Sequence, residues 1–188
     1  MTTEDILKRL ADGNARFVAD KLTRSLQNRS RRELLIDNQK PFAVVLSCVD
    51  SRVVPELAFD TGLGELVVVR VGGNVANKSS VASIEFAVKY LGTKVIVVLA
   101  HENCKAVAAA CDGGKHSNNI EHLLTYIAPA INSAPDGATH NDVAKINARL
   151  TVADLTGKSE VIKNAVKNEE VKIVSAYYNL VSGKVDFY

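Results

Sequence analysis

Two cysteines and a histidine in this chain are spaced as a metal site would have them: Cys48-x-Asp50-x-Arg52, and further along His101-x-x-Cys104. Two thiolates and an imidazole are a zinc ligand set, and three protein ligands leave the fourth tetrahedral position for chemistry. Asp50 and Arg52 beside the first Cys are what a metal-bound water needs as hydrogen-bond partner and brace. Alone, each piece is bland. His-x-x-Cys is a chance pair, Cys48 a buried strand-end thiol, and Asp50-Ser51-Arg52 a capped turn with a surface ion pair. With Asp50 as a permanent fourth ligand the site would be a closed structural zinc. Such sites usually use Cys-x-x-Cys knuckles in domains too small to fold otherwise, so the catalytic reading leads.

The elements around these residues strengthen the reading. Each half of the constellation ends a short apolar run, Phe42–Ser47 and Val95–Ala100. Leu66–Val71 and Val171–Tyr177 are similar runs, and Val185–Tyr188 reads as a terminal strand. Apolar runs without alternation imply strands buried on both faces, hence a parallel sheet with helical crossovers. Helices are expected from Thr3, as cap, with Ile6, Leu7, Leu10, Phe17 and Val18 on one face. Others should end near Pro41, span Pro55–Ala58, run from a Ser80 cap to Gly92, cover Cys104–Cys111, and fill most of residues 118–167. The fold class is α/β: one domain, a mostly parallel sheet flanked by helices, with an N-terminal helical arm. Residues 1–38 form the arm, 39–112 the core with the candidate site, and 113–188 a helical segment with the last strands.

In open sheets of this kind ligands bind beyond the carboxyl ends of neighbouring strands whose crossovers diverge. If the first and third strands are adjacent, Cys48 and His101 face each other there. The i, i+3 spacing would then put Cys104 on the same helical face as His101.

Composition excludes several classes. The chain has 188 residues, 47% of them apolar and 23% charged, enough for one domain with a full core. A net charge of +2 argues against a nucleic-acid partner, and the Arg29, Arg31, Arg32 cluster reads as a solvated or interface patch. The longest apolar run falls far short of the ~20 residues of a membrane span. The first residues lack the basic and apolar regions of a signal peptide. Three cysteines, an odd number, fit a reducing, cytoplasmic setting, with Cys111 a buried small apolar residue among alanines.

The segments Gln39-Lys-Pro, Ser47-Cys48-Val49-Asp50-Ser51-Arg52-Val53-Val54-Pro55-Glu56, Gly62-Leu63-Gly64-Glu65-Leu66, Val69-Arg70 and Gly73-Asn74 together resemble the β-class carbonic anhydrases. So do Ser83-Ile84-Glu85-Phe86-Ala87-Val88, Leu91-Gly92, His101-Glu102-Asn103-Cys104, the early Gly13-Asn14-Ala15-Arg16-Phe17 and the late Gly183-Lys184-Val185. The likeness is thinnest between Gly113 and Leu150. It implies one zinc per chain on Cys48, His101 and Cys104, with Asp50 and Arg52 as a catalytic dyad. It also implies a homodimer or higher even oligomer, the N-terminal arm laid over a partner. A small apolar substrate pocket at the subunit interface would have Gln39 as its polar wall, with Val67, Phe86 and Lys105 at further pocket positions.

The reaction so implied is the reversible hydration of carbon dioxide to bicarbonate and a proton by zinc-bound hydroxide. Two thiolates cancel most of the metal's charge, so activity should rise on the alkaline side. His116, His122 and His140 read as surface residues, and no proton shuttle can be named. The chain departs from the family pattern at Ala100 and Lys105, where Gly is usual, at Val67 for Phe, and at Phe86 for Tyr. Val45 stands where some members carry the Trp of an inhibitory bicarbonate site. Two other readings compete: a hydrolase of carbonyl sulfide or carbon disulfide, motivated by Val67, and a silent zinc- or anion-binding homologue, motivated by Lys105.

Overall fold

The run Ala43–Ser47 (β1) is buried along its whole length, and so is Val95–His101 (β3). Both are rich in β-branched residues, and both faces of each are covered, as a central strand requires. In the computed structural model, which describes residues 1–188, they pair in parallel at the middle of a five-stranded sheet. Leu66–Arg70 (β2) flanks β1, and Lys172–Tyr178 (β4) flanks β3, both parallel. Val185–Phe187 (β5) closes the far edge antiparallel to β4, giving the order β2-β1-β3-β4-β5.

Alternation along the strands feeds two apolar cores. Val44 and Leu46 with Ile96 and Val98 face one layer, which also takes Cys48, Cys104 and Tyr177. That layer is built from Lys78–Leu91 (α4), Lys105–Asp112 (α5), Ala128–Asn132 (α7), His140–Lys158 (α8) and Glu160–Lys167 (α9). Asn118–Thr125 (α6) lies beside α5 and α7. Ala43 and Val45 with Val95, Val97 and Leu99 face the opposite side. Only Thr3–Val18 (α1) and Pro55–Ala58 (α3), with Phe59 and the last strands, cover it.

That thin cover explains how firmly α1 is fastened. Ile6 and Leu10 are fully buried against the chain's own sheet. Asn14 Nδ2 donates to the carbonyls of Ala58 and Gly183 at 3.0 and 2.9 Å, and its Oδ1 accepts from Val185 N at 2.8 Å. A side chain at Gly13 would collide with the Phe59 carbonyl, so glycine there lets the helix seat. Arg9 pairs with Glu65, and Arg16 with Asp60 at 2.6 Å. One face of the helix expected to lie over a partner thus packs on the sheet of its own chain. The short helix Arg29–Leu34 (α2) and the loop after it are largely uncovered, and there Leu34 and Ile36 are 77% and 76% exposed.

Several local expectations shift. The first helix is capped by Thr2 in a capping box with Asp5, and α4 by Asn77, whose side chain accepts from Ser80 N. His101 is the last residue of β3 and Cys104 the N-cap of α5, so a turn rather than one helical face joins them. Asn103 in that turn holds φ +53. Cys111 is half-buried and sits in the last turn of α5, not deep in the core. His122 and His140 are exposed, while His116 is half-buried. No helix is long and apolar enough to cross a membrane.

Candidate metal centre

β1 and β3 are neighbours, and the chain leaves β1 for β2 on one side before returning to β3 on the other. Their carboxyl ends therefore open a crevice, and Cys48 and His101 stand on its two lips. The turn after His101 brings Cys104 back to the same point. Ligand atoms of Cys48, His101 and Cys104 lie within 4.8 Å of one another, all three residues buried. The two sulfurs are 3.9 Å apart. Two bonds of ~2.3 Å at a tetrahedral angle span roughly 3.8 Å, so the sulfurs already sit at the spacing of a zinc site.

The histidine supplies the second sign of fit. Its Nδ1 lies 2.8 Å from the Glu102 carbonyl oxygen, which accepts only if Nδ1 carries the proton. That leaves Nε2 with its lone pair, buried and without a hydrogen-bond partner. An orphaned buried nitrogen is costly unless a cation takes it up. A Cys/His/Cys donor set with this orphan fits zinc in type, number and orientation.

Electrostatics point the same way. The Cys104 thiol donates toward Cys48 and holds its pKa well below the ordinary thiol value, against the effect of burial and with help from His101 and the Gly73 amide. Cys104 is pushed up in return by the bond to Cys48, by burial and by the Cys48 charge. The two sulfurs thus share a proton that a metal ion would displace. Burial lowers His101, but the adjacent Cys48 sulfur and its charge, with the Glu102 carbonyl and Asp50, more than offset it, and the net shift is upward.

Asp50 and Arg52 lie beside the cluster, near enough for the charges of Asp50 and His101 to shift each other. Arg52 Nε and Nη2 donate to the two Asp50 oxygens at 2.9 and 2.7 Å, and the Arg52 amide donates to Oδ1 at 3.0 Å. This bidentate grip pulls the Asp50 pKa down to about 2, over a smaller opposing effect of burial. Arg70, at the end of β2, supports the loop from below. Its Nε donates to the Cys48 carbonyl at 2.9 Å and its Nη2 to the Asp50 carbonyl at 2.6 Å.

The remaining candidates lie elsewhere in the single chain. Gln39 lies before the amino end of β1, whereas Cys48 follows its carboxyl end. It lines a surface depression of about 570 Å³ with Ile36, Leu63 and Tyr90. Val67 is level with Val44, four residues before Cys48 along the sheet. Phe86 on α4 is 54% exposed and stacks on Tyr90 with ring centroids 5.0 Å apart. Lys105 is exposed at the first position of α5. Sequence reasoning gave no role to Arg70 or to Gly73, whose N–H donates to Cys48 Sγ at 3.4 Å. The Gly72-Gly73-Asn74 turn after a strand was the available signal.

The comparisons agree with the geometry. Residues 43–185 match the carbonic anhydrase family. The chain is 38% identical to a carbonic anhydrase of Mycolicibacterium smegmatis, over 95% of this chain and 90% of that one. It is 36% identical to carbonic anhydrase 2 of Mycobacterium tuberculosis, over 94% and 88% respectively. Its fold matches that of the Coccomyxa β-carbonic anhydrase solved with acetazolamide, with TM-score 0.76 and 20% identity over 97% of this chain and 84% of that one. A tetrameric β-carbonic anhydrase of Sordaria macrospora matches with TM-score 0.76 and 18% identity, over 97% and 96%. With its buried Cys/His/Cys cluster at the crevice of a matching sheet, the chain belongs to the β-carbonic anhydrases, zinc enzymes whose general reaction is the hydration of carbon dioxide.

Proposed function

We propose that Cys48, His101 and Cys104 hold one zinc ion per chain and that Asp50 and Arg52 serve reversible hydration of carbon dioxide to bicarbonate and a proton. A zinc ion at that site supplies the Lewis acidity that makes water a nucleophile near neutral pH. Asp50 accepts a hydrogen bond from the attacking water and turns its lone pair toward the substrate carbon. A carboxylate does this only while ionised, and Arg52 keeps it so. Arg52 also holds both Asp50 oxygens, so the acid stays aimed away from the ligand set. Arg70 fixes the backbone between Cys48 and Asp50, so nucleophile and acid keep one spacing. Lys105 points its exposed side chain to solvent, which favours an open site over a silent one.

A second copy of the chain completes the pocket in this reading. Gln39 and Phe86 lie on a face that also carries Leu34, Ile36 and Tyr90, large apolar residues left uncovered by the single chain. Covering that face with a partner would bring the partner's copies of such residues toward a neighbouring metal centre, as the family resemblance implies.

The observation that carries the proposal is the convergence of two thiols on an unpartnered, buried Nε2 beside an ion-paired Asp50. Stopped-flow measurement of carbon dioxide hydration tests it. Zinc-loaded protein should accelerate hydration far above the uncatalysed rate, and Cys48→Ser should abolish the gain. A zinc-loaded protein at the background rate would overturn the proposal.

A further inference from the structure

One buried polar side chain next to this centre has no role in the chemistry above. Asn147 lies in the middle of α8 and is 2% exposed. A buried carboxamide is costly unless hydrogen-bonded, and here Nδ2 donates to the Gly73 carbonyl at 2.7 Å. The same residue turns its N–H onto Cys48 Sγ at 3.4 Å. Gly73 holds φ +68, and a Cβ there would stand 2.8 Å from Ile127 Cδ1, so the position requires glycine. Glycine is also the residue with the most backbone freedom to lose. An N–H that must stay on one sulfur therefore needs an external hold, and Asn147 is placed to give it. The helix grips the other half of the centre too: Asn141 Oδ1 accepts from the Asn103 N–H at 2.9 Å, inside the turn between His101 and Cys104.

We infer that Asn147 is a positioning residue of the metal centre, fixing Gly73 so that its N–H remains on the Cys48 sulfur; the inference rests on the zinc reading above. A hydrogen bond to a thiolate withdraws electron density from sulfur and fixes the direction of its lone pairs. Where two of three ligands are thiolates, that withdrawal keeps a bound cation more Lewis-acidic than the bare ligand set would. Asn147 touches neither substrate nor metal in this arrangement and acts only through the Gly73 peptide.

Cobalt substituted for zinc reports on this directly, through its thiolate-to-metal charge-transfer band. The comparison is between the native protein, Asn147→Leu and Asn14→Leu. Leucine is close to asparagine in size but cannot donate. Asn14 is an equally buried staple on the opposite face of the sheet and serves as the control. The Asn147→Leu band should move to longer wavelength, as the freed thiolate donates more strongly, while zinc should bind about tenfold more weakly in chelator competition, because a sulfur no longer held in place must be ordered on binding. Asn14→Leu should lower Tm and leave both quantities unchanged. An unshifted band and native zinc affinity in Asn147→Leu, with only a loss of Tm, would reduce Asn147 to a structural staple and overturn the inference. If Asn147→Leu does not fold, Asn147→Ser, too short to reach the carbonyl, is read against the same outcomes. Failure of the zinc reading itself would look different: the native protein would show no thiolate band with cobalt.

Discussion

Both carboxylate oxygens of Asp50 are bonded to Arg52, and a lysine point charge cannot make two such bonds at once. If the pair positions the nucleophile as proposed, Asp50→Asn and Arg52→Lys should each lower kcat/KM about a hundredfold, or ~2.7 kcal/mol. Zinc content, read by metal analysis, should stay at one per chain in both. Near-native rates in the two variants would remove the dyad from the mechanism. Lys105→Gly should change kcat/KM less than threefold, since the lysine side chain already lies in solvent. A tenfold rise would mean that it enters the pocket mouth. At this scale the convergence of Cys48, His101 and Cys104 was legible because Cys and His are rare and stand at tell-tale spacing. Arg70, Gly73 and Asn147 were not, because they act on carbonyls and amides that every residue possesses. Nothing in a sequence marks which backbone groups will meet across long stretches of chain.

Among the elements, α1 is packed on the sheet of its own chain, and its fastening can be weighed. Burial alone would raise the Asp60 pKa, but the Arg16 guanidinium and the Thr23 N–H and hydroxyl hold it below the usual carboxylate range. A folded pKa below the unfolded value stabilises the fold at and above about pH 4 and is lost as pH falls further. Asp60→Asn tolerates the residue's φ of +47 and removes the charge together with one acceptor oxygen. It should cost about 2 kcal/mol at neutral pH, with the difference from the native chain shrinking below about pH 4. Denaturant melts across that range check this, and a pH-independent difference would assign the loss to packing. Element identities were largely readable, since β1, β3 and the helices α3 and α4 follow from apolar runs, Pro55 and Gly92. Their caps were not. Thr2 competes with Thr3, and Asn77 with Ser80, for the same free amides, and propensity does not rank such neighbours.

For the whole molecule, the sequence pattern indicated a mostly parallel sheet and left the adjacency of its first and third strands as a condition. It did not reveal that one face would be clad by five helices and the other by little more than α1. Nor could it show which apolar residues stay uncovered, because Phe86 and Tyr90 share α4 with core residues such as Ile84. If the exposed face receives a second copy, Ile36→Asp with Tyr90→Asp should sediment as a monomer. That variant should keep its zinc and lose most hydration activity. A fully active monomer would show that one chain holds the complete pocket. The sheet itself ends on that chain in two unlike ways. β5 is three residues long and guarded by a Lys184–Asp186 pair, whereas β2 offers Leu66, Val67, Val68 and Val69 in a row before Arg70. An apolar edge whose only charges stand at its two ends, Glu65 and Arg70, is a template for other chains. Half-unfolded chains are therefore exposed to a bimolecular, irreversible loss. Heating should inactivate the protein faster as its concentration rises, so its working lifetime is a matter of kinetic stability rather than of its folding equilibrium.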